Sequence, residues 1–134
     1  YIISDLMHII FHWFHDYAFP KQGSRYQPLL EKLRGDIYAH PEYDWTLEMM
    51  AERINLSPRS LQKVYKNFAN ISCISEVIES RMIRAKMLLV RSDFDVGEIS
   101  MQCGYRNVEH FCRQFKKHEG CSPSHYRKEH LVQP

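Results

Sequence analysis

Two stretches of this 134-residue chain carry long hydrogen-bonding side chains at helical spacing. In the first, Arg59, Gln62, Lys63 and Lys66 fall on one face, with Leu61, Val64, Tyr65 and Phe68 on the other. In the second, Glu109, Cys112, Arg113 and Lys116 stand opposite Phe111 and Phe115. A guanidinium or ammonium so displayed can donate to guanine O6 and N7, and a carboxamide matches adenine N6 and N7. A carboxylate can accept from cytosine N4, and an apolar residue such as Val108 can touch a thymine methyl.

Two other residue sets invite chemistry. His8, His12 and His15 share one helix face with Asp5 and Asp16, a geometry open to zinc or nickel. A polar stripe on an amphipathic helix explains the same pattern. The four cysteines, Cys73, Cys103, Cys112 and Cys121, form no C-x-x-C pair and no zinc-finger spacing. They read as free thiols in a reducing compartment. No cofactor or resident metal is expected, nor a His/Glu relay that would make one of the cysteines a nucleophile.

The reading helices need a scaffold. Residues 2–17 make an amphipathic helix with a broad apolar arc, which requires a cover: an upstream domain, a second copy or the following helices. Pro28 opens a helix to Ala39, ended by His40 and Pro41. Thr46 caps a helix from Leu47 to Arg53, Asn55 and Leu56 turn, and Ser57 with Pro58 start a helix to about Phe68. A long helix is expected from about Ser75 to Val90, displaying Arg81, Arg84, Lys86 and Arg91. Val96, Ile99 and Met101 lie on a short helix ended by Gly104, Asn107 caps a helix from Val108 to His118, and Pro123 to Glu129 make a last helical turn. Short helix, tight turn and second helix with a polar outer face is the helix-turn-helix pattern.

The pattern occurs twice. A shift of fifty positions pairs Ser57 with Asn107, Leu61 with Phe111, Lys63 with Arg113 and Tyr65 with Phe115. It also pairs Lys66 with Lys116, Asn70 with Gly120 and Ser72 with Ser122. Upstream of the caps the match slips by one, because the second turn is a residue longer. Caps, anchors and basic positions coincide together, so the repeat is one of roles more than of identity.

From Ile37 to Lys128 the chain resembles the C-terminal DNA-binding domain of the AraC/XylS family of bacterial regulators. The resemblance rests in the second half on Val96, Gly97, Glu98, Ile99, Gly104, Tyr105, His110, Phe111, Arg113, Phe115, Lys116, Lys117, Gly120, Ser122, Pro123, Tyr126 and Arg127. In the first half it rests on Leu47, Ala51, Ser57, Leu61, Tyr65, Arg81, Ala85, Leu88 and Leu89. The chain departs from the family at Asn70, Cys73 and Glu76, where glycine, an aromatic residue and tyrosine are usual.

The resemblance implies an all-α fold of seven helices, with two homeodomain-like tri-helical units joined by a connector helix, behind the N-terminal amphipathic helix. The expected divisions are a linker or dimerisation helix over 1–27 and a DNA-binding domain over 28–134. Within that domain the first unit spans about 37–72, the connector about 75–91 and the second unit about 95–128.

Both recognition helices would enter successive major-groove segments of double-stranded DNA, about one turn or ~34 Å apart. A rigid connector shorter than that span calls for bent DNA. Expected base readers are Arg59, Gln62 and Lys63 in one helix and Val108, Glu109, Cys112 and Arg113 in the other. Ser57, Lys66, Asn107, Lys116 and Lys117 are expected on phosphates. Arg81 either meets DNA or braces the connector through an internal ion pair. Phe111, Phe115, Tyr65 and Phe68 are expected in the core.

Net charge, at +2, is too small to announce a nucleic-acid partner. Its distribution says more: through Asp44 four basic residues face six acidic ones, so the surplus lies downstream. No apolar run reaches the ~20 residues of a membrane span, and the start is a poor signal peptide. A bacterial cytoplasmic, nucleoid-associated regulator is the expectation. RNA polymerase, an upstream sensor domain missing before Tyr1 and a homodimer in the full-length protein are its expected further partners. Rival readings are a metal-responsive module on the His8/His12/His15 face, a repair protein with a reactive cysteine, and a partner-binding bundle without DNA activity.

Overall fold

A computed structural model describes the backbone of residues 2–18 and 25–131, and the side chains of 3–11 and 25–131. Every regular element among the described residues is helical. They are α1 (Ile2–Ala18), α2 (Gln27–Ala39), α3 (Leu47–Ile54), α4 (Pro58–Ala69), α5 (Cys73–Arg91), α6 (Val96–Gln102), α7 (Val108–Glu119) and α8 (Pro123–His130). The seven helices α2 to α8 give the expected all-α fold.

The chain forms two compact units. One holds α1, α2, α3, α4 and α5 as far as Ile78; the other holds the rest of α5, α6, α7, α8 and the loop Pro41–Asp44. In the first, Leu30, Leu33 and Ile37 of α2 meet Met50, Ala51 and Ile54 of α3 and Leu61, Tyr65 and Ala69 of α4 in one core. In the second, Met82, Ala85, Leu89, Ile99, Cys103, Tyr105, Phe111, Phe115 and Tyr126 are buried.

Helix ends explain where the elements stop. The side chains of Thr46, Ser57, Asn107 and Ser122 each accept from the backbone N–H three residues on. Asp95 and Glu98 form a reciprocal capping box at the start of α6. Ser72 Oγ accepts from Ser75 N at 3.0 Å, so α5 begins at Cys73, two residues earlier than expected.

Gly104 has φ +89, and a Cβ there would stand 2.7 Å from the Pro41 carbonyl oxygen. Both the left-handed turn and the close approach require glycine.

Several expected surfaces differ. Lys86, expected on display, is 2% exposed and paired with Glu119 Oε1 at 3.0 Å. Arg81 braces the second unit through carbonyls instead of a carboxylate: Nε donates to Pro41 O at 3.1 Å and Nη2 to Tyr43 O at 2.9 Å. Leu29 and Met101 are exposed despite their apolar spacing. Ile3, Leu6, Met7, Ile10 and Phe11 are exposed on α1. The side chains of His12 and His15 lie outside the described residues, and with them the metal reading.

Candidate nucleic-acid interface

The two recognition helices are built alike. Both α4 and α7 are 12 residues long, and they start and finish fifty positions apart. Asn70 ends the first at φ 64 and Gly120 the second at φ 84, the left-handed conformation their residue types tolerate. Leu61 and Tyr65 match Phe111 and Phe115 as fully buried anchors. Upstream, the N-caps Thr46 and Asp95 fall out of step by one, as the longer second turn requires.

Each anchor set locks its helix in rotation. Around α7 the rings of Tyr105, Phe111, Phe115 and Tyr126, the first in the preceding turn and the last on α8, run in sequence with centroids 5.2, 5.9 and 5.6 Å apart. Tyr105 also donates its hydroxyl to Gln114 Oε1. In α4, Tyr65 meets Phe68 edge-on at 5.7 Å. The expected core assignment holds for Phe111, Phe115 and Tyr65, while Phe68 is half-buried. With these rings fixed inward, the opposite faces are fixed outward.

On those faces Arg59, Gln62 and Lys63 of α4 are exposed, as are Val108, Glu109 and Arg113 of α7. Cys112 is half-buried. Ser57, Lys66, Asn107, Lys116 and Lys117 are all exposed. Two of these have a second duty. Ser57 Oγ accepts from Ser60 N at 3.2 Å and Asn107 Oδ1 from His110 N at 2.9 Å, leaving the Asn107 amide NH2 as the group suited to a phosphate. Lys66, Lys116 and Lys117 lie in last helical turns, where they also offset the negative end of the helix dipole.

No activated thiol appears. Burial pushes Cys103 up to about 12. Burial likewise raises Cys73, and raises Cys112 and Cys121 with help from neighbouring carboxylates. All four are unpaired thiols. Among the described residues no three metal-binding side chains gather, and no helix is long and apolar enough to cross a membrane.

Two arrangements escaped the sequence reading. Arg34 of α2 donates to Glu76 of α5, and both are buried, with Arg34 also 5.9 Å above the Phe68 ring. The unusual Glu76 is thus matched by an arginine 42 positions away, a pairing that helical periodicity cannot show. The other is Arg106, directly before the Asn107 cap and 3.0 Å from Asp44 Oδ2. Its place in the lengthened turn was the available signal.

A family profile described as a helix-turn-helix domain matches residues 50–129. The chain belongs to the AraC/XylS helix-turn-helix family. This family is one of DNA-binding domains of transcription regulators. Among curated relatives, the transcriptional regulator YdiP of Escherichia coli K12 is 38% identical over 84 residues, covering 63% of this chain and 28% of that protein. The regulatory protein PocR of Salmonella typhimurium is 31% identical over 93 residues, covering 69% of this chain and 31% of PocR. The chain thus spans about a third of these regulators' length.

Among solved structures, the C-terminal domain of AraT, a response regulator from Geobacillus stearothermophilus, superposes with a TM-score of 0.75 at 34% identity. That match covers 82% of this chain and 92% of the AraT domain. The DNA-binding domain of AdpA, solved in complex with a target DNA, gives 0.71 at 25% identity, covering 75% of this chain and 90% of that one.

Proposed function

We propose that this AraC/XylS-type domain is the DNA-reading output module of a bacterial transcription regulator, with α4 and α7 each entering one major-groove segment. One observation carries the reading: the same capped helix occurs twice, with its apolar anchors fully buried and its long polar side chains exposed. That is what a reading helix needs, because base edges are reached only by side chains held on a fixed face. The AdpA domain, bound to its target DNA, supports the same use of the fold.

In this assignment Arg59, Gln62 and Lys63 read one half-site, while Val108, Glu109, Cys112 and Arg113 read the other. Ser57, Lys66, Asn107, Lys116 and Lys117 hold phosphates and set register. The chemistry is recognition, with no covalent step. A sensor domain in the remainder of the regulator, RNA polymerase and a second copy complete the proposed partners.

Selection from a random DNA pool tests the proposal. The expected result is a bipartite motif with half-sites about one helical turn apart. Absence of any enriched sequence at low salt would overturn it.

A further inference from the structure

Four of the second unit's arginines make polar contacts within it, and these contacts are of two kinds. Arg81 and Arg127 donate to backbone carbonyls, of Pro41 and Tyr43 and of Leu89 and Ser92, and Arg84 pairs with half-buried Glu42. Such contacts spend the guanidinium on structure. Arg106 is different: its side chain is 88% exposed, and its partner, Asp44 Oδ2 at 3.0 Å, belongs to a side chain 70% exposed. An ion pair in that much water is weakly held and readily exchanged.

Its location gives the exchange a direction. Arg106 immediately precedes the N-cap of α7, the end of a recognition helix that approaches the DNA backbone. A guanidinium there can take two phosphate oxygens in parallel hydrogen bonds. Asp44 is not loosely placed, because Arg81 fixes the neighbouring Tyr43 and Pro41 carbonyls and Arg84 holds Glu42. The backbone that carries the carboxylate is therefore fixed within reach of the guanidinium.

We propose that Arg106 is a phosphate-binding residue of the second half-site, and that Asp44 is its internal stand-in, occupying the guanidinium until DNA displaces it. This rests on the DNA-reading function proposed above. It also gives the Pro41–Asp44 loop a role in setting affinity. Release of Arg106 costs its contact with Asp44, and bound DNA then places a phosphate near an unpartnered carboxylate.

The test compares wild type, R106A, R106K, D44N and the R106A/D44N double variant on a selected duplex and a random duplex across a salt series. R106A is expected to weaken both duplexes by a similar factor, about five- to tenfold at 0.1 M salt, and to flatten the log–log salt slope by about one. R106K should retain the slope. D44N should tighten both duplexes about threefold, and that gain should largely vanish in the R106A background. Unchanged affinity and slope in R106A, with wild type binding DNA normally, overturns the phosphate role alone. Equal tightening by D44N with and without Arg106 overturns the stand-in role, leaving Asp44 a simple repelling charge. Failure of wild type to bind either duplex overturns the underlying DNA reading as well.

Discussion

A basic residue on a helix is not informative until its partner is known. Lys63 and Arg113 occupy equivalent positions, exposed and opposite fully buried anchors, whereas Lys86 and Arg81 are consumed inside the second unit. Helical spacing made the first two legible in the sequence. It could not separate Lys86 from them, because burial there depends on Glu119 arriving from another helix. Lys63→Ala and Arg113→Ala should each weaken a selected duplex by about 1–3 kcal/mol while changing random-sequence binding much less. Lys117→Ala should weaken both alike and reduce the salt slope by about one. Fluorescence anisotropy titrations over a salt series distinguish these outcomes, and an equal loss on both duplexes for Arg113→Ala would reduce it to a phosphate contact.

Charges between elements do what apolar packing alone does not. In the first unit the buried Arg34–Glu76 pair ties α2 to α5. Removing one partner of a buried pair is costlier than removing both. Arg34→Met should therefore destabilise by about 3–5 kcal/mol, while an apolar replacement of both residues should recover most of that loss in urea unfolding. In the second unit His118 of α7 bridges Glu79 of α5 at 3.0 Å and Glu119 at 2.9 Å. Hydrogen bonds to Glu119 and Glu79 push this histidine up to about 9, against the opposing effect of burial. Folding thus favours the imidazolium, whose stabilisation is complete below the ordinary value of 6.5 and lost as pH rises through about 9. Relative to wild type, His118→Gln should lower the urea midpoint most at pH 6, and the two curves should converge by about pH 10. A gap that does not change with pH would mean the side chain acts by packing alone.

Across the whole molecule, the parts legible in the sequence are those set by local rules. Caps at Ser57 and Asn107, left-handed ends at Asn70 and Gly120, and alternating faces of α4 and α7 follow from neighbours within a few residues. The Arg34–Glu76 pair, the burial of Lys86 and the Asp44–Arg106 contact join residues 33 to 62 positions apart, and no periodicity reports them. The duplication is the property that spans the chain, and it makes a prediction no single residue can. If each unit reads its own half-site, the readers must fail separately. Selection from a random pool with the Arg59→Ala, Gln62→Ala, Lys63→Ala triple variant should blur one half of the motif and preserve the other. Glu109→Ala with Arg113→Ala should blur only the complementary half. Each buried base contact discriminates by about 1–3 kcal/mol, so the affected half should lose most of its information. Both halves blurring together under either set would show that one helix carries the recognition and that the repeat serves the fold.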